Sequence, residues 1–130
     1  MILALKTASM ETELGVLGDS NQKIDHELWQ SGRKLSDDLL VHIEAILKKH
    51  NSAIKDLTGI IVYQGPGSFT SLRIGLTVAN TIAYAQGIPI IGISGDDWVN
   101  NGFVKLKSFK PGQYVMPEYG AEANITKPKK

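Results

Sequence analysis

The chain has 130 residues, 42% hydrophobic and 21% charged, which suits one globular domain with a real core and leaves no room for two. It has no cysteine, which excludes disulfides and thiolate metal sites. Its net charge of +1 is unevenly spread: residues 1–104 carry 8 Lys/Arg against 11 Asp/Glu, whereas residues 105–130 carry 6 Lys against 2 Glu.

The first strand is expected at residues 2–6 (ILALK), followed by a turn at Thr7-Ala8-Ser9. This apolar start is interrupted by Lys6 and is too short for a membrane span or a signal peptide, so a cytoplasmic location is expected. Residues 12–18 alternate, with Thr12, Leu14 and Val16 on one face and Glu13, Gly15 and Leu17 on the other. After the turn residues Gly18-Asp19-Ser20-Asn21, residues 22–31 alternate again, Ile24, His26 and Leu28 opposing Asp25, Glu27 and Trp29.

Helical period takes over at 35–50. Leu35, Leu39, Ile43, Ile46 and Leu47 fall on one side, widened by Leu40, with Ser36 as the expected N-cap. Asp37 and Asp38 suit the positive end of that helix, and Lys48 and Lys49 the negative end. A buried strand (Ile60, Ile61, Val62) then ends at Tyr63-Gln64 and runs into the loop Gly65-Pro66-Gly67. Ser68 and Thr70 introduce a second helix, which ends at Gly87. Ile88 to Ile93 reads as another buried strand. Beyond Ser94, Gly95-Asp96-Asp97 and Asn100-Asn101-Gly102 look loop-like, Phe103 to Lys110 reads as one strand or none, and Pro111 opens an extended tail. The resulting order, βββαβαβ, is an α/β arrangement that matches a single ribonuclease H-like lobe of the actin-like ATPase type.

Few residues here suit chemistry. No carboxylates gather at the strand ends, as a metal-dependent nuclease would require, and Lys6 stands where an actin-like ATPase needs an acid. His26, His42 and His50 are scattered without a ligand-pair spacing, and no base is marked for Ser68, so neither metal nor catalytic residues are expected. The GPGSFT loop lacks the Lys of a phosphate-binding P-loop. Its amides with Gly67, Ser68 and Arg73 remain candidates for holding an anion; the plain alternative is a tight turn with a helix cap. Trp29 and Trp98 suit core or edge positions.

The second helix is apolar over roughly 200° of its wheel, more than one sheet face needs, and Ser71, Gly75, Ala79 and Ala83 form a stripe of small residues. Surplus apolar surface of this kind points to association. The expected interface comprises Leu40, Ile43, Leu47, Leu72, Gly75, Leu76, Ala79 and Ala83. A charge at Ala79 or Ala83 is then expected to abolish a complex without unfolding the domain.

The stretch GPGSFTSLRIGLTVANTIAYAQGIPIIGIS resembles the signature of the TsaB (YeaZ) family, and MILALKTAS and LSDDLLVHIEAILKK resemble its opening strand and first helix. PEYGAEANITKPKK is similar to the family's extreme C-terminus. The resemblance implies a non-catalytic scaffold in synthesis of N6-threonylcarbamoyladenosine at position 37 of tRNA. It would pair with a TsaD-like catalytic partner through its helices, with a TsaE-like ATPase joining the complex. ATP is expected at the level of that complex and not on this chain alone. The same surface would also serve a homodimer, and tRNA contact would be indirect or through the lysine-rich tail. Lys6 replaces the family's usual Asp, Ser71 its usual Gly and Leu35 a common His. Residues 1–104 are the expected lobe, with the basic tail 105–130 standing where the family has a second lobe. The alternative from another class is a self-standing nucleotide-binding ATPase of the actin-like fold.

Overall fold

The computed structural model describes residues 1–118. Its centre is a five-stranded sheet in the order β3-β2-β1-β4-β5. The strands are β1 (Ile2–Lys6), β2 (Glu11–Leu17), β3 (Lys23–Gln30), β4 (Gly59–Tyr63) and β5 (Ile90–Ile93). β1, β2 and β3 form an antiparallel meander, in the register Ala4↔Gly15↔His26. β4 and β5 continue the sheet parallel to β1. This is the ribonuclease H-like lobe expected from the element order.

Three helices cover the sheet: α1 (Leu35–Lys49), α2 (Phe69–Gln86) and α3 (Trp98–Leu106). α1 lies over the face that carries Leu14 and Val16, because Trp29, which shares that face opposite Thr12, stacks on His42 of α1 with ring centroids 3.8 Å apart. α2 packs beside α1 and against β4 and β1. α3 covers the other face at β4 and β5. There Gly102 approaches the Ile61 and Ile93 side chains so closely that a Cβ would collide with Ile61. Leu3, Leu5, Leu14, Leu39, Ile43, Leu47, Ile60, Ile61, Leu72, Ile90 and Ile91 are fully buried among these layers and form one continuous core.

Several expectations are corrected here. Ser36 is not the N-cap of α1: a short 3₁₀ turn, Gly32–Lys34, leads into the helix, so Lys34 takes the cap position and Ser36 lies inside the first turn. Residues 98–106, read as loop and uncertain strand, form α3. Trp98, Gly102, Phe103 and Leu106 fall on one helical stripe and are all buried, and this packing outweighs the poor helix propensity of Asn100, Asn101 and Gly102. The lobe also does not stop at residue 104. α3 runs to Leu106, and the chain then returns across the sheet end, where Val115 is buried in the core. Residues 119–130, which include the closing lysines and most of the family-like C-terminal stretch, lie outside the described residues. Gly87 ends α2 as expected, in the left-handed conformation (φ 65°), its N–H donating to carbonyls of the last turn.

Candidate functional site

The residues singled out in the sequence fall in two places of this fold. One is the edge where the parallel strands end; the other is the outer surface of α1 and α2.

In open α/β sheets, ligands bind beyond the carboxyl ends of the strands. Here the loop after β1 (Thr7-Ala8-Ser9) and the loop after β4 (Gln64 to Ser68) meet at that edge and bind each other. The Ser68 backbone N–H, which would otherwise point from the start of α2 toward an anion, donates to the Ala8 carbonyl at 2.8 Å. The buried Thr7 hydroxyl donates to the Ser71 carbonyl at 2.8 Å. Gly67 is packed on Ala8 and Gly75 on Thr7, each too tightly for a Cβ. Gly65, whose φ of 128° disfavours any L side chain, presses against the Glu118 carbonyl.

Of the three anion candidates, Gly67 and Ser68 are thus engaged with Ala8. Arg73 lies on the exposed side of α2, 5.3 Å from the Phe69 ring centroid. Lys6 sits over the Tyr63 ring, its Nζ 4.4 Å from the centroid, a cation–π contact inside the protein. Among the described residues no three His, Asp or Glu side chains converge in a way that would hold a metal.

The small-residue stripe on α2 serves the chain's own sheet. Leu72, Gly75, Leu76, Ala79 and Ala83 are buried on α2, as are Ile43 and Leu47 on α1. What approaches Gly75 and Ser71 is the Thr7 side chain, just past the end of β1. Of the eight expected interface residues, only Leu40 is exposed. The wheel alone could not show this, because α2 is wedged between the sheet and α1 and so uses both apolar flanks internally. What the two helices leave outside is Leu40, Val41 (62% exposed), Phe69 and Tyr84 (89% exposed), with Ile74 and Val78 half buried beside them. Thr70, Arg73, Ile74 and Thr77 line a shallow groove along α2.

The three histidines, read as unrelated, each meet a carboxylate. His26 lies 2.9 Å from Glu13, His42 3.1 Å from Glu27 and His50 2.8 Å from Asp25. The last two tie α1 and its C-terminal end to β3. Hydrogen bonds from His50 and then Lys49 hold the Asp25 carboxyl down at about 2, from an ordinary 3.8. Nothing in the local spacing announces these pairs, since their partners lie 13 to 25 residues apart.

A family model for TsaD, tRNA N6-adenosine threonylcarbamoyltransferase, matches residues 29–100. The tRNA threonylcarbamoyladenosine biosynthesis protein TsaB of Escherichia coli is 26% identical over 132 residues, covering 95% of this chain and 56% of that protein. The tRNA N6-adenosine threonylcarbamoyltransferase of Shouchella clausii is 37% identical over 68 residues, covering 50% of this chain and 20% of its own length. Among solved structures, YeaZ from Pseudomonas aeruginosa superposes with a TM-score of 0.65 at 25% identity, over 72% of this chain and 43% of that one. The chain therefore spans about half the length, or less, of the relatives it matches.

Proposed function

The chain belongs to the family of TsaD and TsaB (YeaZ) proteins, and on that footing we propose that it is a non-catalytic scaffold subunit in the synthesis of threonylcarbamoyladenosine on tRNA. Its partner would be a TsaD-like transferase, docked on the outer faces of α1 and α2, with a TsaE-like ATPase joining through the complex. The same outer helix faces, which expose Leu40 and Val41 on α1 and Tyr84 on α2, would serve a homodimer when the partner is missing.

One observation carries this reading: the strand-end edge is filled by the protein's own groups, while the helix layer keeps large apolar side chains outside. The Ser68 amide donated to Ala8 and the Glu118 carbonyl laid on Gly65 both count against a nucleotide phosphate at this loop. Lys6, held over Tyr63, takes the position where metal handling would need an acid. Leu40, Val41, Phe69 and Tyr84 offer the aliphatic and aromatic anchors that interfaces use. ATP binding then belongs to other subunits of the complex.

Two measurements on the isolated chain test the reading. Titration calorimetry with ATP and magnesium is expected to show no heat of binding. Affinity capture from the source cell is expected to recover the TsaD-like transferase. Tight ATP binding with no such partner would instead establish a self-standing nucleotide-binding protein of the actin-like fold.

A further inference from the structure

The segment after α3 is held by contacts of a kind that proteins use to recognise extended peptides. The Asn80 side chain, buried on α2, reads both backbone groups of one residue: Val115 N–H donates to Asn80 Oδ1 at 2.9 Å, and Asn80 Nδ2 donates to the Val115 carbonyl at 2.9 Å. Gln64 reads the next positions. Its Nε2 donates to the Met116 carbonyl at 3.1 Å, and its own carbonyl accepts from the Glu118 N–H at 2.7 Å. Ser94 donates toward Glu118 Oε1 at 3.3 Å and also to the Gly65 carbonyl.

Side chains alternate as in a strand. Tyr114 and Met116 face solvent, whereas Val115 is 7% exposed and seated on Gly92, where a Cβ would collide with it. A buried amide aimed at one residue's N–H and C=O, an apolar seat for its side chain, and backbone pairing three residues on together make a built groove.

We propose that the strand-end edge is a peptide-binding groove, formed by Asn80, Gln64, Gly92 and Ser94 and occupied in cis by residues 113–118 as a detachable latch. Latched, the segment lays the Glu118 carbonyl on Gly65 and the Glu118 carboxylate beside Ser94, which closes the GPGSFT loop and sets a negative charge over it. Access to that edge is then governed by whether the latch is seated. The proposal does not depend on which partner binds the helices.

Hydrogen exchange on the intact chain tests it. The Val115 and Glu118 amides are expected to exchange at least tenfold more slowly than those of Gly112 and Gln113. Asn80→Ala is expected to remove that protection while Leu5 and Ile61 stay protected. Unprotected Val115 and Glu118, protection that survives Asn80→Ala, or loss of the Leu5 and Ile61 protection along with the latch each overturn the proposal. A labelled peptide with the sequence of residues 112–118 provides a second readout. It is expected to bind the chain carrying Val115→Asp, whose own latch cannot seat, at least tenfold more tightly than the unaltered chain. Binding to neither overturns the groove, and if Val115→Asp fails to fold, exchange in the intact chain still decides.

Discussion

The strand-end edge and the outer helix surface are built from the same two elements, β4 and α2, yet they treat their binding capacity in opposite ways. At the edge, with the 113–118 segment seated, the chain's own groups meet one another: Ser68 N–H on Ala8, Thr7 on Ser71, Gly65 under Glu118. On the helices, Leu40, Val41, Phe69 and Tyr84 stay outside although the core beneath them is complete. Polar groups at a would-be active edge have been spent on holding loops together, and apolar side chains have been kept at the surface. The proposed scaffold role rests on that division.

The largest effect that would break this contrast comes from charging the inner and outer faces of the helix layer in turn. Ala79→Glu places an unpaired carboxylate in a fully buried position against the sheet and is expected to cost on the order of 4 kcal/mol or to prevent folding. Val41→Glu, on the exposed side, is expected to change stability by no more than about 0.5 kcal/mol. Thermal unfolding of both variants checks the pair, and a stable Ala79→Glu protein would return the small-residue stripe to the surface.

Next in size is Gly65→Ala, which must adopt a φ of 128° with a Cβ driven into the Glu118 carbonyl. A loss of about 2 kcal/mol or more in a urea titration is expected. Asn80→Ala leaves the Val115 N–H and carbonyl without their partners and should cost about 1–3 kcal/mol in the same titration.

How much of this was legible in the sequence follows from how local each feature is. The alternation of β2, and of β3 from Asp25 to Gln30, reads correctly because side-chain period in a strand depends on nothing beyond the strand. The GPGSFT loop and the Gly87 stop are equally local. The register shift that pairs Leu17 with Lys23 and skips Ile24, by contrast, has no local sign. α3 was illegible because Asn100-Asn101-Gly102 reads as a turn unless one knows that Gly102 must slide over Ile61. The inner and outer faces of α2 could not be told apart, since both flanks are apolar and only the placement of α1 and β1 decides between them. The latch was out of reach for the same reason: Asn80 and Val115 are 35 residues apart, and nothing near either announces the other.

The smallest expected effect is electrostatic, and it separates the meander from the edge. Asp25 titrates at about 2 in the fold against 3.8 ordinarily, because His50 and Lys49 bond its charged form. A depressed carboxyl contributes stability that is fully present above its ordinary value and fades as pH falls from about 4 toward 2. Asp25→Asn should therefore flatten the acid limb of the stability profile in that window, as pH-dependent urea titrations would show. An unaltered acid limb would show that the tie between β3 and the end of α1 contributes nothing.

The most direct test of the central claim is the affinity of this chain for the source cell's TsaD-like transferase, with and without Leu40→Glu and Val41→Glu together. The unaltered chain is expected to bind, and the folded double variant to lose at least a hundredfold in affinity, about 2.7 kcal/mol. A double variant that binds as tightly as the unaltered chain would contradict the assignment of function to the outer helix surface.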